Sequence, residues 1–145
     1  MTDNEFSAYL AGLIDGDGSV GAYNGQLRIR LVMTHSDAAH VIVDRLRGTE
    51  YEPYINECGS AQDKRTHRVF YIVWSSSIGV ALAKRILPYS ISKREQMQLA
   101  TEWPLIGRGK RADIEQLVEQ RRISAALKLA KASSLMRIEK DANYG

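Results

Sequence analysis

Two residues, Asn24-Gly25, do more than any other feature to limit the architectures open to this chain. They stand between two runs of alternating residues, Ser19 to Tyr23 and Gln26 to Thr34. Asn-Gly in that setting is a strong signal for a two-residue type I′ hairpin turn. Such a turn leaves one register: Tyr23 opposite Gln26, Ala22 opposite Leu27, Gly21 opposite Arg28, Val20 opposite Ile29 and Ser19 opposite Arg30. One face then carries Val20, Ala22, Leu27, Ile29, Leu31 and Met33, and the other Ser19, Gly21, Tyr23, Gln26, Arg28 and Arg30. The first face suits a core and the second is open to water or a ligand. Solvation alone accounts for the open face, yet its arginines, tyrosine and glutamine are also donors suited to base edges and phosphates.

The stretch ahead of the hairpin has helical periodicity. Phe6, Leu10, Leu13 and Ile14 recur at helical spacing, and Asp3 or Asn4 can cap the start. Ala8, Gly12 and Gly16 lie on one side, four residues apart, and leave it almost bare. Each glycine inside a helix costs roughly 0.5–1 kcal/mol, a cost consistent with close approach by another element. Asp15 and Asp17 fall at the carboxyl end, where the helix dipole disfavours negative charge. Two copies of the helix meeting along the bare side would gather carboxylates that need protons or divalent cations between them. Oxygen ligands on a tight turn suit magnesium. The plainer reading has Asp15 start a capping turn, makes Asp17 a turn residue and lets the glycines permit the bend.

Farther along, Ser36 or Asp37 begins a helix to about Arg47, ended by Gly48. Tyr51 to Cys58 is expected as a strand, with Pro53 marking an edge or bulge, and Arg65 to Trp74 as another. Within the latter, Arg68 sets the outward phase, so Val69, Tyr71 and Val73 are expected inward and Phe70 and Ile72 on the other face. Ser75 to Ser77 caps a helix to Leu87, Pro88 stops it, and Ser92 is expected to cap a helix from Lys93 to about Trp103. Asp113 to about Ser133 forms a last long helix, with Ile114, Leu117, Val118, Ile123, Leu127 and Leu129 on or near its packing faces. Residues 134–145 are expected as a flexible tail. The order describes an α+β fold: an αββαββα core with one antiparallel sheet and C-terminal helices.

With 145 residues the chain suits a single domain, 1–145, and 44% apolar with 26% charged residues describe a folded protein. No run has the length of a membrane span, and no basic segment with an apolar signal core opens the chain. One cysteine, Cys58, excludes an internal disulfide; a buried thiol in a reducing, intracellular setting is expected. The net charge of +3 permits a polyanionic partner, and two-fold assembly would double it.

Leu10-Ala11-Gly12-Leu13-Ile14-Asp15-Gly16-Asp17-Gly18 resembles the signature of the LAGLIDADG homing endonucleases at eight of nine letters, with Gly16 in place of alanine. The resemblance spans essentially the whole chain and has one signature copy, as in the homodimeric members. It implies a homing endonuclease-like fold whose signature helices form the dimer interface (Ala8, Gly12, Leu13, Gly16) beneath two DNA-binding sheets. It also implies a double-stranded DNA endonuclease that cuts a long, roughly palindromic target across the minor groove, leaving short 3′ overhangs. The expected ion is Mg2+, with Mn2+ as a substitute. Asp17 takes the metal-binding position, with the Gly16 carbonyl beside it, and Asp15 a structural one.

His35 stands where similar enzymes commonly carry a glutamine that positions water; a histidine there positions water, acts as a base, or merely caps the next helix. Lys93 matches a lysine near the cleavage site, and Arg94 offers a phosphate contact. Recognition falls to Tyr23, Gln26, Arg28, Arg30, Lys64, Arg65, Thr66 and Arg68, with Lys128, Lys131 and Arg137 outside the sheet. The competing readings are a non-cleaving binder, such as an RNA-splicing maturase or DNA-binding regulator, and a purely structural dimer.

Overall fold

The computed structural model describes residues 1–58, 68–107 and 109–144, with side chains as far as 133. Helix α1 (Asp3–Asp17) leads into strands β1 (Gly18–Tyr23) and β2 (Gln26–Met33), then helix α2 (Ser36–Leu46). Strands β3 (Tyr54–Cys58) and β4 (Val69–Ser75) follow, then α3 (Ser76–Ile86), a 3-10 turn (Leu87–Tyr89), α4 (Arg94–Thr101) and α5 (Ile114–Tyr144). The expected αββαββα order is present.

Asn24 and Gly25 have φ of 51° and 74°, the positive values that a type I′ turn demands. All five predicted pairs form, and Gly18 opposite Leu31 extends the register. The sheet is antiparallel in the order β1-β2-β4-β3, so β3, with Pro53 just before it, is an edge strand.

Phe6, Leu10 and Ile14 of α1 are buried in one core with Leu27, Ile29 and Leu31 of β2. The turn out of α1 is tight: a Cβ on Gly18 would stand 2.8 Å from the Ile14 backbone and side chain. Only glycine lets the chain reverse there from helix into strand. At the other end Thr2, rather than Asp3 or Asn4, is the N-cap. Its hydroxyl accepts from the Glu5 N–H at 3.1 Å while Glu5 accepts from the Thr2 N–H at 3.1 Å.

Strand β4 has the opposite phase to the one expected. Phe70, Ile72 and Trp74 are buried opposite Met33, Leu31 and Ile29, whereas Tyr71 and Val73 share the open face with Val32 and Arg30. Arg68 lies outside the strand, paired with Glu57 at 3.2 Å, so its exposure says nothing about strand phase. The same alternation places Tyr54, Asn56 and Cys58 on the open face of β3, and Cys58 is exposed rather than buried. The expected beginning of β4 at Arg65, with Lys64 and Thr66, lies outside the described residues.

Asp113 and Gln116 exchange backbone-to-side-chain bonds of 2.8 and 3.0 Å at the start of α5. The helix runs through Ser133-Ser134 to Tyr144 instead of stopping there. Its buried stripe is Gln120, Ile123, Leu127 and Ala130, while Ile114, Leu117, Val118 and Leu129 are exposed. The helix packs mainly on β1 and α4, so one narrow stripe is covered.

Candidate active site and nucleic-acid interface

The two aspartates at the end of α1 have different surroundings. Both oxygens of Asp15 are engaged: they accept the Ile91 N–H at 2.8 Å and the Lys93 N–H at 3.1 Å. Asp15 thus ties down the turn just before α4 from as far as 78 residues away, and the N-cap position of that helix falls to Lys93, without a side-chain cap, rather than to Ser92. Ser92 instead donates its hydroxyl to the Asp15 carbonyl at 3.2 Å, and the Lys93 ammonium donates to the same carbonyl at 2.7 Å. A cation at the start of α4 is poorly placed for that helix, but at the last turn of α1 the dipole favours it. Asp17 is exposed and has no hydrogen bond or ion pair among the described residues. It is the free carboxylate of the pair.

The bare side of α1 has no occupant among the described residues. Ala8, Gly12 and Gly16 are exposed, and a Cβ on Gly12 or Gly16 would meet nothing within 4 Å. Leu13, beside them, is half-buried against the core.

His35 follows β2 at the end where β1 leaves α1, as the pairing of Gly18 with Leu31 dictates. Its Nδ1 accepts the Ala38 N–H at 3.3 Å and caps α2. That contact fixes the ring and leaves Nε2 without a partner among the described residues. Asp17, Lys93 and His35 therefore belong to one end of the sheet.

Tyr23, Gln26, Arg28 and Arg30 are all exposed on the open face. Across it runs a groove of about 620 Å³, lined also by Tyr54, Asn56, Tyr71 and Ser75, which sequence reasoning missed. The alternation of Tyr54 and Asn56 in β3 was a usable signal, and Tyr71 was lost to the phase error in β4. Lys128 and Lys131 lie on α5 beside Ser19, Gly21 and Tyr23, along the outer edge of β1. Arg94 donates to the Leu87 carbonyl at 3.3 Å, which holds one arm against the backbone. Arg68 sits at the sheet margin with Glu57. Lys64, Arg65 and Thr66, and the side chain of Arg137, lie outside the described residues.

Among the described residues no three His, Cys, Asp or Glu side chains gather into a metal cluster. Asp17 is a free carboxylate at this end, and Asp37, two residues after His35, is a second exposed one without an ion pair among the described residues. No described helix is long and apolar enough to cross a membrane.

No family model matches the chain, and no curated protein matches it. Solved structures do. The homing endonuclease I-CvuI in complex with its target in the presence of calcium is similar at a TM-score of 0.59 and 18% identity, over 88% of this chain and 83% of that one. The same enzyme in complex with the I-CreI target, its DNA not cleaved in the presence of magnesium, is similar at 0.54 and 19% identity, over 88% and 83%. At these identities the likeness is one of fold: the chain has the LAGLIDADG homing-endonuclease fold.

Proposed function

We propose that this chain is a metal-dependent double-stranded DNA endonuclease that works as a homodimer, each subunit addressing half of a long, roughly palindromic target. The observation that carries the reading is the contrast at the end of α1: Asp15 is consumed by the start of α4, while Asp17 is left free beside an uncovered glycine face. A structural helix end has no use for that combination. Two copies joined along Ala8, Gly12, Leu13 and Gly16 bring two Asp17 carboxylates together beneath two basic sheet faces.

Asp17 and the Gly16 carbonyl suit a hard divalent cation, Mg2+ or Mn2+, completed by the second chain and substrate phosphate. When bound, such a cation would supply charge neutralisation at the phosphoryl group and a more acidic water. The chain's own groups do the rest. Lys93, anchored on the Asp15 carbonyl, holds a positive charge near the scissile phosphate. The free Nε2 of His35 orients water or takes its proton. Arg28 and Arg30 face the bases, and Lys128 and Lys131 lie alongside for the backbone. Each subunit cuts one strand, and the two cuts leave short 3′ overhangs. An intracellular, reducing setting suits an exposed thiol at Cys58.

Selection of cleaved duplexes from a randomised library with magnesium, run beside Asp17→Asn, tests the proposal. The unaltered protein is expected to cut and the variant to bind without cutting, its rate lower by roughly 10²-fold or more. Binding without cleavage by both proteins would leave a DNA-binding protein and defeat the nuclease reading.

A further inference from the structure

On one face of a sheet, residues on neighbouring strands also meet along diagonals that long side chains span. Two such diagonals of the open face carry an arginine over an aromatic ring. The Arg28 guanidinium carbon lies 5.7 Å from the centre of the Tyr23 ring, and that of Arg30 lies 5.4 Å from the Tyr71 ring. The first stack lies close over a glycine. A Cβ on Gly21, directly opposite Arg28, would stand 3.1 Å from the Tyr23 ring, which lies back across the glycine. The second stack joins β2 to β4, with Tyr71 one step along the diagonal from Val73, the partner of Arg30. Neither arginine has a carboxylate partner among the described residues.

An aromatic face attracts a guanidinium without using its N–H donors. The planar fork is therefore held before binding while its donor edge remains free, which lowers the ordering cost of recognition. A free arginine fork pairs bidentately with O6 and N7 of guanine in the major groove, which a two-stranded ribbon can enter. Arginines two places apart on a strand are about 6.6 Å apart. That distance is close to two base-pair rises of ~3.4 Å.

We propose that Tyr23 and Tyr71 are positioning residues that hold Arg28 and Arg30 as paired readers of guanine, so that each half-target carries two guanines no more than two base-pair steps apart. Gly21 belongs to the device because it seats the first ring. The inference rests on the DNA-binding reading above and assigns the chemistry its open face selects.

The test is selection of bound duplexes from a randomised library by the unaltered protein, Tyr71→Phe, Tyr71→Leu and Gly21→Ala. The unaltered protein should enrich guanine at two positions per half-target within that spacing, each at least ~fivefold over the next base. Tyr71→Phe, which keeps the ring, should retain both. Tyr71→Leu should lose one preference and keep the other, and Gly21→Ala should do the reverse. The retained preference reports an intact fold within the same experiment. Unchanged preferences in Tyr71→Leu, a joint loss of both, or no guanine enrichment by the unaltered protein would overturn the inference and leave DNA binding standing. Failure of the unaltered protein to bind any duplex would remove the DNA-binding reading itself, and the inference with it.

Discussion

The two sides of helix α1 have been chosen for different audiences. Phe6, Leu10 and Ile14 are buried in the core of their own chain, with exposures of 1%, 1% and 0%. Ala8, Gly12 and Gly16 face outward, and a Cβ on either glycine meets nothing among the described residues, although glycine weakens the helix that carries it. Folding of a single chain explains the first side completely and the second not at all. The helix is stabilised from one side so that the other can remain bare. Its last turn repeats the division, with Asp15 tied into the fold and Asp17 left out of it.

That division breaks or sharpens under substitution. The largest effect belongs to the buried side: Ile14→Ala should lower unfolding free energy by about 2–5 kcal/mol, read by denaturant titration. Asp15→Ala should come next, at about 2 kcal/mol, because it leaves the Ile91 and Lys93 N–H groups without their acceptor. A melt indistinguishable from that of the unaltered protein would deny Asp15 its structural role. Gly12→Leu should act with opposite signs on the two levels of structure. It should stabilise the single chain by roughly 0.5–1 kcal/mol, since leucine favours helix and its Cβ meets no neighbour among the described residues, while weakening the association of two chains. Loss of stability in the single chain would mean that the bare side has an intrachain partner.

The smallest effect lies on α5, away from both sides of α1. The hydrogen bond from Arg122 holds the Glu119 carboxyl below its ordinary 4.5. A depressed pKa stabilises the fold above the unfolded value, and the contribution is lost as pH falls through the folded one. Melting curves of Glu119→Gln and the unaltered protein should therefore differ slightly near neutral pH and converge as pH falls through the lowered Glu119 value.

Local chemistry made much of this legible in advance. Asn24-Gly25 set the register of β1 and β2 pair by pair, because a two-residue turn admits one alignment. The signature stretch exposed the odd chemistry of α1 before any fold was known. Where the sequence misled, the deciding partner was distant or the local pattern was uniform. Residues 69–74 are apolar throughout, so alternation carried no phase, and pairing with Ile29 and Leu31 decided which side was buried. Ser92 is a plausible cap by composition, but α4 begins one residue later, with Lys93 at the N-cap position, and the turn before it is tied to distant Asp15. His35 was legible as a cap or a site residue, and its capping bond leaves Nε2 free for the other role.

The central claim is that the bare side of α1 joins two chains so that two Asp17 carboxylates share one duplex. Sedimentation velocity on a two-fold target, in magnesium with Asp17→Asn to prevent cutting, measures it directly. The account predicts two chains per duplex, and one chain or none when Gly12→Leu is added to that variant. A single chain per duplex before Gly12 is altered, or two chains per duplex unaffected by Gly12→Leu, would contradict it.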